Sequence, residues 1–158
     1  MLQAFGSTVL ASAFGFVIAK IATAFFDAYI SKASTREKER SEDVSRIRET
    51  TESTSSIALG YWSRDAALPS DKGLEAMLSG QIAQLTALIS GLFDGREKLL
   101  EACVLELDRF DEAVTGGDFG TNKRTADMER LRKIQLCGVA LEDKVKTCRR
   151  KLRPYWFG

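Results

Sequence analysis

Residues 2–19 hold no charged side chain, and between residues 2 and 30 only Lys20 and Asp27 are charged. About 20 helical residues cross the hydrocarbon of a bilayer, so residues 2–21 have the length of a single transmembrane helix. Phe25, Phe26 and Tyr29 follow where interfacial aromatics belong, and Lys32, Arg36, Lys38 and Arg40 come next. The positive-inside rule then puts the N-terminus outside and the rest of the chain in the cytoplasm. The pattern is that of a single-pass inner-membrane protein. A cleaved signal peptide would use Ala22-Thr23-Ala24, but no Lys or Arg precedes the apolar run and Lys20 intrudes before the site. A core helix of a water-soluble fold is disfavoured because the run is apolar on nearly every face.

The remaining pattern is helical throughout. Residues 31–60 form a polar juxtamembrane helix, with Arg36-Glu37-Lys38-Glu39-Arg40 alternating in sign and Val44 and Ile47 as its large apolar residues. The Ser/Thr-rich stretch 50–56 weakens it, and Ile57, Leu59, Tyr61 and Trp62 make an apolar patch before a loop. Pro69 resists continuation, and Ser70 or Asp71 can cap the next helix. Leu74, Met77, Leu78, Ile82, Leu85, Leu88, Ile89 and Leu92 recur at helical spacing over 72–93. Leu99, Leu100, Cys103, Val104, Leu107, Phe110 and Val114 do so over 96–114, and Gly116-Gly117 ends that helix. Met128, Leu131, Ile134, Cys137, Leu141, Val145, Cys148 and Leu152 mark a helix over 125–152. The predicted fold is all-α: an anchor (1–30), a juxtamembrane helix (31–60) and an antiparallel helical bundle with a basic, aromatic tail (61–158). Leu85, Leu107 and Leu141 are its expected core.

Charge narrows the partners. Lys and Arg total 23 against 22 Asp and Glu, but residues 71–118 carry a net −6 and residues 119–158 a net +7. The plain reading is an acidic helix beside a basic one. In the tail, Lys144, Lys146, Arg149, Arg150, Lys151 and Arg153 are unbroken by acid, and Tyr155, Trp156 and Phe157 follow. Such a run suits anionic headgroups. It also suits a nucleic-acid backbone with stacked bases, or a helix end whose cations meet only water and the macrodipole.

Within the anchor, Ser7, Ala11, Gly15 and Ala19 recur every four residues. Small residues at that spacing let helix backbones approach in lipid, so self-association is expected. Lys20 and Asp27 share a helical face. Lys20 either snorkels to the headgroups or, in a deeper span, becomes a charge inside the membrane.

Catalysis finds little material. The chain has no His and three Cys. Gly116-Gly117-Asp118-Phe119-Gly120 lacks the Lys-Ser/Thr ending of a phosphate-binding loop and reads as an interhelical turn. Glu106, Asp108, Asp111 and Glu112 read as a solvated acidic face, because helical metal cores pair carboxylates with His. Cys103, Cys137 and Cys148 fit no metal spacing and lie on apolar stripes. No enzyme activity, metal or cofactor is expected.

Tyr61-Trp62-Ser63-Arg64-Asp65, the helix start Leu74-Glu75-Ala76 and Thr115-Gly116-Gly117-Asp118-Phe119 resemble a pattern in small bacterial membrane-anchored helical proteins. Proteins of that build occur as effectors in anti-phage defence. The resemblance covers residues 61–119 and assigns no residue a role. It implies a membrane-anchored, self-associating interaction protein, in its sharpest form a membrane-disrupting antiviral effector. The rivals are an adaptor that tethers a cytoplasmic protein and a membrane-tethered nucleic-acid binder.

Overall fold

The computed structural model describes the backbone of residues 3–67, 69 and 71–152, and the side chains of 30–32, 34–67, 69 and 71–152. Four helices follow in order: α1 (Gln3–Trp62), α2 (Asp71–Leu92), α3 (Glu97–Thr115) and α4 (Met128–Arg150). The described residues contain no strand. The chain divides into two compact units, Met1–Ser41 and Glu42–Gly158. In the first, the described side chains from Ile30 onward are mostly exposed, and Thr35 donates to the Ser31 carbonyl at 3.0 Å. Among the described residues no helix is long and apolar enough to cross a membrane. The side chains of residues 1–29 lie outside the described residues, so the expected transmembrane helix gains no support here.

The second unit is the helical bundle, and residues 42–62 of α1 are its fourth member. The Ser/Thr stretch does not weaken α1. Thr51 and Thr54 are buried, and their hydroxyls donate to the carbonyls of Ile47 and Thr50 at 2.8 and 2.7 Å. A hydroxyl satisfied by its own helix can face a core at little cost, which is why a polar stretch packs here. Opposite it, a Cβ added to the buried Gly138 of α4 would lie 3.2 Å from Ser55 Oγ and 3.5 Å from Thr51 Cγ2. The two helices meet through small residues and lack of bulk.

Paired contacts set the directions. Tyr61 bonds Glu75 and Gln81 bonds Ser53, so α1 and α2 run antiparallel. Arg130 at the start of α4 reaches carbonyls at the end of α3, and Cys148 near the end of α4 meets Cys103 near the start of α3. Those two are antiparallel as well. The core joins Leu78, Leu85, Ile89, Phe93, Leu107, Phe110, Ile134 and Leu141, with Leu85 and Leu141 fully excluded from solvent.

The apolar stripes fall where the periodicity puts them, apart from Met77 on α2 and Met128 on α4, which are exposed. On α2 the buried set is Asp71, Glu75, Leu78, Ile82, Leu85, Ile89 and Leu92, so Met77 is 53% exposed. Two acidic residues take interior places because partners for both come from other elements. On α4 the buried set is Ile134, Gly138, Leu141, Val145 and Cys148, and Met128 is 75% exposed. This helix begins three residues later than expected. Residues 124–127 are drawn into the loop that packs against the end of α1, and Asp127 caps α4 by accepting the Arg130 N–H at 2.9 Å.

Candidate functional site

One end of the bundle carries a buried polar clasp. It gathers the end of α1, the start of α2 and the long loop between α3 and α4. Arg124 lies in that loop and is 2% exposed. Its guanidinium donates to the Asp71 carboxylate at 2.5 Å, to the Arg64 carbonyl at 2.6 Å and to the Tyr61 carbonyl. The same group stacks 3.8 Å from the centre of the Tyr61 ring. Arginine suits this position because its planar cation offers a fixed fork of donors and a face for an aromatic ring.

Asp71 is 1% exposed and fully engaged. Besides Arg124 it accepts from Arg64 at 2.8 Å and from the Ala67 N–H at 2.8 Å. The Ala67 N–H, then the Arg124 guanidinium, hold its carboxyl below the ordinary value, against burial. Asp71 therefore ties down the preceding loop, where a cap on its own helix was the expected role.

Tyr61 extends the network. Its hydroxyl donates to Glu75 at 3.1 Å and accepts from the Gly120 N–H at 3.0 Å. Burial raises its pKa, so it stays a neutral phenol at physiological pH. Lys72 bridges the same partners, Glu75 at 2.8 Å and the Gly120 carbonyl at 3.2 Å. The hydrogen bond to Glu75 raises the Lys72 pKa. Phe119 packs on Tyr61 at 5.3 Å between centroids.

Trp62 faces the other side. Its indole N–H donates to the Val114 carbonyl at 2.8 Å, and the Arg130 guanidinium lies 4.3 Å over its ring. Arg130 also donates to the Gly116 carbonyl at 2.7 Å. A shallow cavity of about 510 Å³ opens here, lined by Trp62, Gly117, Asp118, Asp127, Met128 and Arg130 among others.

The glycine-rich segment is the expected interhelical turn, and it does more than turn. Gly117 and Gly120 take positive φ of 64° and 74°, a region that favours glycine. Gly120 thereby presents its N–H to Tyr61 and its carbonyl to Lys72. In the sequence, Tyr61 and Trp62 read as an apolar patch, residues 116–120 as a turn, and Tyr61 to Asp65 with Thr115 to Phe119 as a resemblance, none of them as a polar cluster. Asp71 appeared as a cap, and Arg124 drew no notice. An isolated Arg in a polar loop gives no periodic signal, and its partners lie more than 50 residues away.

The acidic residues of α3 are solvated or locally paired. Glu106 meets Arg109 at 3.1 Å, and Asp111 accepts the Thr115 hydroxyl at 2.7 Å. Among the described residues no group of three His, Cys, Asp or Glu could hold a metal. Cys103 and Cys148 are buried and hydrogen-bonded to each other, and Cys137 is half-buried.

The sequence-predicted interaction residues do not converge on the clasp. Ser7, Ala11, Gly15, Ala19, Lys20 and Asp27 have side chains outside the described residues, as do Arg153, Tyr155, Trp156 and Phe157. Lys144 and Arg149 are half-buried on α4, whereas Lys146, Arg150 and Lys151 are exposed. Lys146 meets Glu142 of its own helix at 3.4 Å.

The clasp can hold three chain segments in fixed register. Apart from the buried Arg124 Nε, which has no hydrogen-bond partner among the described residues, its buried side chains bond to one another and to the main chain, so what it offers chemically is rigidity at one end of the bundle. Compared with family models, with curated proteins and with solved structures, the chain matches none.

Proposed function

We propose that this chain is a membrane-anchored, self-associating interaction protein whose helical bundle is the cytoplasmic part that meets partners. The observation that carries the reading is the charge-free run 2–19 followed by the basic stretch 32–40. The Ser7, Ala11, Gly15, Ala19 ladder supports association of the spans. In the sharpest form, a partner or signal acts on the bundle and the clustered spans disturb the bilayer, as a defence effector would. That form requires a partner with different affinity for two states of the bundle.

Fractionation tests the anchor. The full chain should stay in membranes through alkaline carbonate, and deleting residues 1–31 should release it. Recovery of the intact chain in the soluble fraction overturns the reading. The second reading is an adaptor, favoured by a clasp that makes one bundle end stiff enough to present a fixed surface. Induced expression separates the two: depolarisation of the membrane that changes with Lys20→Leu supports the effector, and anchoring without depolarisation supports the adaptor.

A further inference from the structure

The outward side of α4 has an order that the bundle does not use. Leu136 and Val139 are 61% and 60% exposed, although they lie in the middle of the helix. At 100° per residue they point away from the buried Ile134, Gly138, Leu141 and Val145. Extending the stripe by alternate steps of three and four residues adds Arg132 and Glu129 on one side and Asp143 and Lys146 on the other. All six are exposed. The three-four spacing is that of a two-helix coiled-coil seam, with apolar residues at its two central positions and charged ones on either side.

We infer that this face binds a second copy of the same chain, with the two α4 helices antiparallel about a twofold axis between Leu136 and Val139. A twofold contact is self-complementary, so each pairing occurs twice. Leu136 then meets the partner's Val139. One step outward, Arg132 meets the partner's Asp143. One step further, Glu129 meets the partner's Lys146. Every layer is apolar on apolar or cation on anion. A parallel pair in register would instead put Arg132 on the partner's Arg132 and Asp143 on the partner's Asp143, so the charges select the antiparallel form. Lys146 makes ion pairs inside its own helix, 3.4 Å to the half-buried Glu142 and 3.9 Å to the exposed Asp143, and its own side chain stays exposed. Such pairs contribute little and do not withhold the lysine from a partner. Between residues 129 and 146 the seam is about 26 Å long at 1.5 Å per residue, the scale of a modest, reversible contact.

The contact is separate from the span association in the proposed function, and its geometry stands without the membrane anchor. The test uses the full chain, in detergent if it partitions to membranes and in buffer if it does not, with mass measured by sedimentation over a concentration series. The wild-type chain should dimerise. Arg132→Asp places a carboxylate against the partner's Asp143 in two layers, and Asp143→Arg places two cations together. Each should weaken the dimer at least about tenfold. The double swap Arg132→Asp with Asp143→Arg restores opposite charges and should recover most of the affinity. These positions are exposed, so the helical content of each variant should match the wild type. A dimer insensitive to either reversal, a double swap no better than the single variants, or a wild-type chain that stays monomeric overturns the α4 seam. Gly15→Leu tests the span ladder separately. Loss of the dimer with Gly15→Leu alone, and not with the charge reversals, overturns the seam and leaves the ladder in place.

Discussion

The two ends of the bundle are held together by opposite kinds of chemistry. At the clasp end, Arg124, Asp71, Tyr61 and Glu75 lie inside and are joined by hydrogen bonds, Arg124 to Asp71 and Tyr61 to Glu75. At the other end, Ile89, Leu92, Phe93 and the Cys103–Cys148 pair close the core with apolar and sulfur contacts. The apolar end gains from any well-shaped side chain. The polar end gains only if every member is present, because a buried charge that loses its partner cannot recover its hydration. The contrast predicts that substitutions at the clasp behave as all-or-none, whereas those at the apolar end scale with the volume removed.

The largest effect should come from breaking the ion pair. Arg124→Ala removes the buried partner of the Asp71 carboxylate, leaves it only the more exposed Arg64 as a cation, and should cost about 3–5 kcal/mol in urea unfolding. Replacing both members by apolar residues of similar size, Arg124→Met with Asp71→Leu, should recover much of that loss. A double variant as unstable as Arg124→Ala would show that the bonds from Arg124 to main-chain carbonyls dominate. At the apolar end, Ile89→Ala should cost about 3 kcal/mol, the usual range for a buried aliphatic cut to a methyl group. Ile89→Val should cost about 1 kcal/mol on the same scale, and a step as large as that for Ala would contradict the graded behaviour expected there.

Acid separates the ends more finely. Asp71 titrates below its ordinary 3.8 in the folded chain because the Ala67 N–H and then Arg124 favour its charged form. A depressed carboxyl pKa contributes fully above the unfolded value and is lost as pH falls through the folded one. Stability of the wild-type bundle should therefore drop below about pH 4, and Asp71→Asn should flatten that part of the curve. A curve with the same slope in both proteins would assign the acid sensitivity elsewhere. The smallest effect is a rate. Burial, then the hydrogen bond to Cys148, push the Cys103 thiol up to about 12. At neutral pH it should stay unreacted with iodoacetamide while half-buried Cys137 is modified, as read by peptide mass. Equal labelling of the two would mean that the apolar end opens readily.

Legibility in the sequence divides along the same line. The helices and the central residues Leu85, Leu107 and Leu141 were readable because their apolar periodicity directly reflects burial. The long α1 was only half readable. Thr51 and Thr54 look like polar surface in a hydropathy pattern, yet their hydroxyls bond backward within the helix and their side chains are buried. The clasp was not readable. Glu75 and Asp71 occupy interior helix positions where a stripe calls for Leu, and the reason lies in residues from distant loops. The α4 seam was hidden for the converse reason: Leu136 and Val139 fell outside the expected core stripe, and only their exposure separates them from core.

Arg124 reads the path of the chain more than its composition. Two of its partners are the carbonyl oxygens of Tyr61 and Arg64, and every amino acid supplies that atom. Ser63 and Ala66, which lie along the same loop, can drift in evolution as long as the loop keeps its course. Arg124 has no such freedom, because no other side chain offers a planar cation with that many donors. Related sequences should therefore show a varied loop around an unvarying arginine. Aligning them by loop identity alone would overlook their kinship, whereas a single Arg about 60 residues beyond a Tyr-Trp pair would disclose it.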